Sequence, residues 1–221
     1  KTVLTDYGKG LAEKYQRRLK IVQRYMQYQD LPPLQARDNA ISMLSVGFSD
    51  ILFERIQEQG ERIYIKEIFA DKQGFSGAEL CKNMSDGSYY FPFVIYREHI
   101  KNGSNISMGN DGFEHPCELV IKNHIGTIYL AIKTVSAPSA KSGMIIDGRV
   151  QKLQYKFNST FVDAKKEGRY ICLPADVLQF ISMGNGRDKM LHGSVCLKMQ
   201  CSAGGVIHMP VSTAIFTLLI I

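Results

Sequence analysis

Residues 195–202 read Val195-Cys196-Leu197-Lys198-Met199-Gln200-Cys201-Ser202. Val195, Leu197, Met199 and Cys201 occupy every second position, with Cys196, Lys198 and Gln200 between them and Ser202 following. In an extended chain successive side chains leave opposite faces, so this alternation predicts a strand with one face turned to a core. The same texture recurs outward from this stretch. Runs rich in β-branched and aromatic residues predict strands over 206–211 and 214–221 on one side, and over 62–69, 89–100, 118–123, 127–135, 150–157 and 169–173 on the other. Asn102-Gly103, Asp111-Gly112, Asp147-Gly148 and Gly204-Gly205 supply turn chemistry between such runs. Residues 174–181 suit a short helix.

Upstream of Gly60 the period changes. Leu11, Tyr15, Leu19, Val22 and Met26 recur at spacings of three and four, which puts them on one face of a helix. Pro32 and Pro33 end it. A second helix starts at Pro33, whose missing N–H would be unsatisfied there in any case. It carries Ala40, Ile41, Leu44, Phe48, Ile51, Leu52 and Ile56 to about Gln59, with Gly47 a weakness inside it and Gly60 as the stop. Helices first and many short strands afterwards give a mainly β, α+β chain: a helical N-terminal segment over 1–60 and a β-rich domain over 61–221. An antiparallel β-sandwich or barrel is the architecture expected. A faint internal repeat raises the option of a duplicated β unit. Ile106-Ser107-Met108-Gly109-Asn110 recurs as Ile181-Ser182-Met183-Gly184-Asn185, and Gly87 to Pro92 resembles Gly168 to Pro174. Cys117, Gly126 and Ile128 would then match Cys196, Gly205 and Ile207.

The 221 residues are 45% hydrophobic and 22% charged, enough to bury a sizeable core. The first residue is Lys1 and not Met, which reads as a processed or trimmed start. The five cysteines form no CxxC pair, which favours a reducing, intracellular setting over a disulfide framework; the Asn-X-Ser/Thr sequons at Asn83, Asn102, Asn105 and Asn158 point weakly the other way. No stretch reaches the roughly 20 apolar residues of a membrane-spanning helix.

The formal net charge of +6 is unevenly placed. Lys14, Arg17, Arg18, Lys20 and Arg24 lie on the first helix among Tyr15, Tyr25 and Tyr28. Lys152 and Lys156 lie on one face of a predicted strand, opposite Leu153, Tyr155 and Phe157, with Lys165, Lys166 and Arg169 following. Clustered cations neutralise phosphates, and neighbouring aromatics stack on bases or sit at a headgroup boundary. A solvated helix face, or an edge strand whose lysines block aggregation, explains the same residues.

Catalytic signatures are weak. Double-barrel cysteine proteases make Cys201 the tempting nucleophile, but a nucleophile elbow wants glycine two residues before it, and Met199 stands there on an alternating strand. His99, His115, His124 and His208 offer no clear base. His115 with Cys117, and His192 with Cys196, lack paired zinc-ligand spacing. Residues 184–189 do not have the spacing of a phosphate loop. The reading drawn from the sequence is a non-enzymatic structural or assembly protein of virus coat or matrix type. It would form homo-oligomers, bind nucleic acid or an anionic membrane through the ten basic residues just named, need no cofactor or metal, and reside in the cytoplasm or the virion. A β-rich protein- or ligand-binding module is the alternative, and a cysteine hydrolase using Cys201 stands behind both.

Overall fold

The computed structural model describes residues 3–47, 49–101, 103–138, 145–184, 189–203, 207–208 and 210–221, the side chains of 100, 101, 137, 138, 203, 207 and 208 excepted. The expected Gly204-Gly205 turn, the loop through 185–188, the Asn102 half of its turn, Phe48 and the His208 side chain lie outside these residues. The chain divides into two compact units, Lys1–Glu67 and Ile68–Ile221.

The first unit is helical. In α1 (Asp6–Tyr28) the Thr5 hydroxyl caps the N-terminus by accepting the Gly8 N–H at 3.1 Å, and Asp6 places negative charge in the first turn. α2 (Pro33–Val46) returns along it, and Ala36 and Ala40 are fully buried where their small side chains allow close approach. Val22, Ala40 and Ile56 form the nucleus of packing, with Leu19, Ile21, Tyr25, Met26, Met43 and Phe53 against it. Only part of the apolar stripe predicted on α1 is used, since Leu11 and Tyr15 remain 51% and 40% exposed.

The single helix expected from Pro33 to Gln59 is two. Gly47 turns the backbone to φ 72°, a conformation open to glycine, and α3 starts afresh at Asp50. α3 (Asp50–Ile68) runs straight through Gly60, so the expected stop is absent and the strand expected over 62–69 is helix. Glu58 accepts from Arg55 at 3.0 Å and from Arg62 at 2.6 Å, ion pairs three and four residues apart that brace the helix across Gly60.

The second unit is two antiparallel sheets with one short helix. Its elements are β1 (Gly74–Ser76), α4 (Gly77–Asn83), β2 (Gly87–Phe91), β3 (Phe93–Lys101), β4 (Ser104–Ile106), β5 (Cys117–Lys122), β6 (Ile125–Ala131), β7 (Val135–Pro138), β8 (Ile145–Phe157), β9 (Thr160–Asp163), β10 (Lys165–Glu167), β11 (Tyr170–Pro174), β12 (Gln179–Met183), β13 (Met190–Ala203), β14 (Ile207–His208) and β15 (Ser212–Ile220). A five-stranded sheet has the order β10-β11-β6-β5-β2. The ten-stranded sheet runs β1-β12-β13-β15-β3-β4, with β8, flanked by β7 and β9, paired to the far half of β13. The chain is therefore mainly β with N-terminal helices, and its β unit is a sandwich. Inward positions alternate as the sequence predicts: Val195, Leu197 and Met199 are buried, as are Ala214, Phe216 and Leu218, and across from them Leu119, Ile121, Ile128 and Leu130.

Two corners carry the chain from one sheet to the other. Phe91 pairs with Cys117 in the small sheet and Phe93 with Leu218 in the large one. Pro92 between them has no N–H to give a ladder, so the pairing ends there. Pro174 pairs with Thr127, a 3₁₀ turn follows at Ala175–Val177, and Gln179 pairs with Ser194 in the large sheet. The helix expected over 174–181 is this turn followed by a strand. Both corners fall on the matched segments ending in Pro92 and Pro174, but the later matches part company. Cys117 is buried at the start of β5, whereas Cys196 is exposed in the middle of β13 opposite Ile215. The likeness marks two corners and not two copies of one β unit.

Candidate ligand-binding groove

The ten basic residues read from the sequence do not converge. Arg18 pairs with Asp50 and lies 4.7 Å from the centre of the Phe53 ring. Arg24 stacks 3.9 Å from the Tyr64 ring and donates to the Tyr28 hydroxyl at 2.8 Å. In the β unit Lys152 pairs with Asp163 at 2.9 Å, Lys165 with Glu167 at 2.7 Å, and Arg169 with Glu114 at 3.6 Å while stacking on Tyr170. The Arg18 and Lys152 contacts hold the Asp50 and Asp163 carboxyls below their ordinary range. Lys20, Lys156 and Lys166 are exposed. The strand face expected to gather Lys152, Gln154 and Lys156 also carries Asp163, which accepts from Gln154 at 2.6 Å.

One concave surface uses part of the first cluster. Gly10, Glu13, Lys14, Arg17, Arg18 and Ile21 of α1 face Phe53 and Gln57 of α3 around a groove of about 390 Å³. Residues 10, 14, 17 and 21 lie on one side of α1 because they are spaced by one helical turn each. Ile21 and Phe53 are half-buried and form an apolar floor, with the Arg18 guanidinium laid on the Phe53 ring. Lys14 and Arg17 are exposed and form no ion pair within 4 Å among the described residues. Gly10 leaves one end of the groove open, since a Cβ built on it would meet nothing within 4 Å. The arrangement offers cations at the rim, an aromatic floor and one carboxylate, Glu13. It suits an anionic group attached to an apolar body.

The thiols are arranged differently. Burial pushes Cys81 up to about 11 and Cys117 up to about 12. Cys201 stands half-buried opposite Val150, and its thiol is also raised by burial, away from the thiolate a nucleophile needs. Nearby Gln151 is an extra residue in β8, so that Val150 and Leu153, three apart, both face the core. Among the described residues no cluster of His, Cys, Asp or Glu could hold a metal ion, and no helix is long and apolar enough to cross a membrane.

No protein-family model and no curated protein matches this sequence. Among solved structures, the NEAT5 domain of IsdX2, a B. anthracis hemophore in complex with heme, is similar at 17% identity and a TM-score of 0.37 over 61% of this chain and 96% of that one. A mutant of IsdX2-NEAT5 in complex with heme gives 19% identity and a TM-score of 0.39 with the same coverage. Both of these structures are NEAT5 domains in complex with heme, and neither is a coat or matrix protein. The expectation of a virion assembly protein with nucleic acid or anionic membrane as partner is corrected accordingly and is not carried further. The ion pairs of Arg18, Lys152, Lys165 and Arg169, with Arg24 turned onto aromatic rings, give the physical reason the basic zones misled: half of the ten cations are engaged within the fold.

Proposed function

We propose that this chain is a non-enzymatic β-rich module that binds a protein or small ligand, and that recognition occurs in the groove between α1 and α3. The observation that carries the reading is the presence of two exposed cations, Lys14 and Arg17, that form no ion pair within 4 Å among the described residues, beside an apolar floor of Ile21 and Phe53. Exposed cations next to half-buried apolar surface bring long-range attraction and a desolvating contact to the same place. The β unit serves as a packed scaffold. A reducing compartment suits the unpaired thiols, including exposed Cys196.

The test is a screen by ¹H–¹⁵N chemical-shift mapping with a small library of aromatic carboxylates, short peptides and heme. Shifts clustered at Gly10, Arg17, Phe53 and Gln57, and reduced by Arg17→Glu, are the expected result. Probes that move only β-unit resonances, heme among them, would overturn the assignment of the groove.

A further inference from the structure

α1 carries a second unused feature beside the groove. Leu4, just before the Thr5 cap, is 58% exposed, and on α1 itself Tyr7, Leu11 and Tyr15 recur at spacings of four and are 78%, 51% and 40% exposed. They continue the line of Val22, which α2 and α3 cover in the second half of the helix. On a helical projection Lys14 lies between this stripe and the groove-facing residues Gly10 and Ile21, Arg17 lies on their far side, and Arg18 falls within the stripe. The surface is thus a band: exposed apolar stripe, Lys14, concave apolar floor, Arg17.

Resting on the groove reading above, we propose that the band docks an acidic amphipathic segment of a partner protein, with apolar side chains on the stripe and in the groove and carboxylates against Lys14 and Arg17. Charge complementarity selects this occupant. A small anion would use the groove and leave four exposed apolar residues unexplained. A polyanion without apolar groups would leave both the stripe and Phe53 unexplained. A flat bilayer would cover the stripe but would not enter the concavity. An acidic amphipathic helix meets the stripe, the floor and the cations together, since anchors one turn apart fit a helix-lined groove and interleaved carboxylates fit Lys14 and Arg17.

The probe is a fluorescein-labelled peptide with leucines at helical spacing and glutamates between them, titrated against the whole chain by anisotropy. Three controls accompany it: the same peptide with lysine for glutamate, the same with serine for leucine, and vesicles of phosphatidylcholine containing phosphatidylserine. The Leu/Glu peptide is expected to bind, with both altered peptides weaker by about tenfold or more. Lys14→Glu with Arg17→Glu, or Tyr7→Ser with Leu11→Ser, should each weaken it by roughly tenfold while the circular dichroism and melting curve stay unchanged, because all four side chains are exposed. Equal binding of the Leu/Lys peptide, tighter binding to the vesicles, or indifference to both double variants would overturn the proposal. If the Leu/Glu peptide fails while aromatic carboxylates still map to the groove, only this inference falls. If nothing maps there, the reading beneath it falls as well.

Discussion

Gly193 and Gly77 are the positions where a single added carbon is least tolerable. A Cβ on Gly193 would lie 2.3 Å from Phe180 Cζ, and Phe180 is itself stacked on Phe75 at 5.2 Å with Phe69 beyond it at 3.7 Å. The ring covers the glycine of the neighbouring strand and cannot retreat through two more rings. Gly193→Ala should therefore cost about 1–3 kcal/mol in urea denaturation, the range for overpacking a filled core. Phe180→Leu should relieve part of that cost, a coupling that the double-mutant cycle measures. Gly77 is tighter: its Cβ would come within 1.7 Å of the Ala175 carbonyl oxygen, and its N–H donates to Leu178 O at 2.8 Å. Neither contact is legible in the sequence, because a glycine, whether in a strand as Gly193 or opening a helix as Gly77, does not say what approaches it. The groove was half legible for the same reason. Lys14, Arg17 and Arg18 stand out in a charge run, but Phe53 and Gln57 come from another helix and Gly10 contributes only space.

Among the elements, α3 shows where local pattern misleads. Ile63-Tyr64-Ile65 and Ile68-Phe69 have strand composition, and Gly60 before them looks like a boundary. The contrary signal was the Arg55, Glu58, Arg62 spacing, which works only on a helix. Gly60 retains ordinary helical geometry with open space around it, so Gly60→Ala should raise stability by about 0.5–1 kcal/mol, read as a higher melting temperature. α4 gives a pH-dependent case. Ser76 and Glu79 cap each other's backbone N–H groups, and Glu79 also pairs with Lys72 at 2.9 Å. The Ser76 N–H, first, and the Lys72 ammonium then hold the Glu79 carboxyl at about 2 against an ordinary 4.5. A carboxyl lowered on folding stabilises the fold above 4.5, and that contribution is lost as pH falls from 4.5 toward 2. In an acid titration of stability Glu79→Gln should flatten this limb and change the alkaline side little. The strands were the most legible elements, since β5, and β13 as far as Met199, keep strict alternation; past the register shift at Gln200 it is Ser202 and not Cys201 that is buried. Their turns were partly missed: Asn123-His124 and Asn158-Ser159 adopt positive φ in two-residue hairpin loops, and neither pair is the Asn-Gly that marks such turns.

At the scale of the whole molecule the sequence carried the class and lost the wiring. Helices before strands, and turns between them, were enough for an α+β chain with an antiparallel sandwich. Nothing local says that β2 and β3 belong to different sheets, or that β12 and β8 share one edge of β13. The local basic runs misled in a similar way, because their acidic partners stand at distant positions that only the fold brings together. Asp50 reaches Arg18 and Asp163 reaches Lys152 only once helices pack and β8 pairs with β9. If those pairs are surface features of ordinary worth, raising salt should change stability by no more than about 1 kcal/mol per pair, whereas groove occupancy by an anionic probe should fall with salt throughout. Parallel salt series on stability and on binding separate the two.

β13 has neighbours along both of its edges: β12 and then β8 on one, β15 and then β14 on the other. A strand so placed has no free side from which to fray, so time is where its position tells. Deuterium should enter the amides of Leu191–Met199 last of any in the chain, and at a rate that follows global opening, while those of the edge strands β4 and β10 exchange through small local excursions.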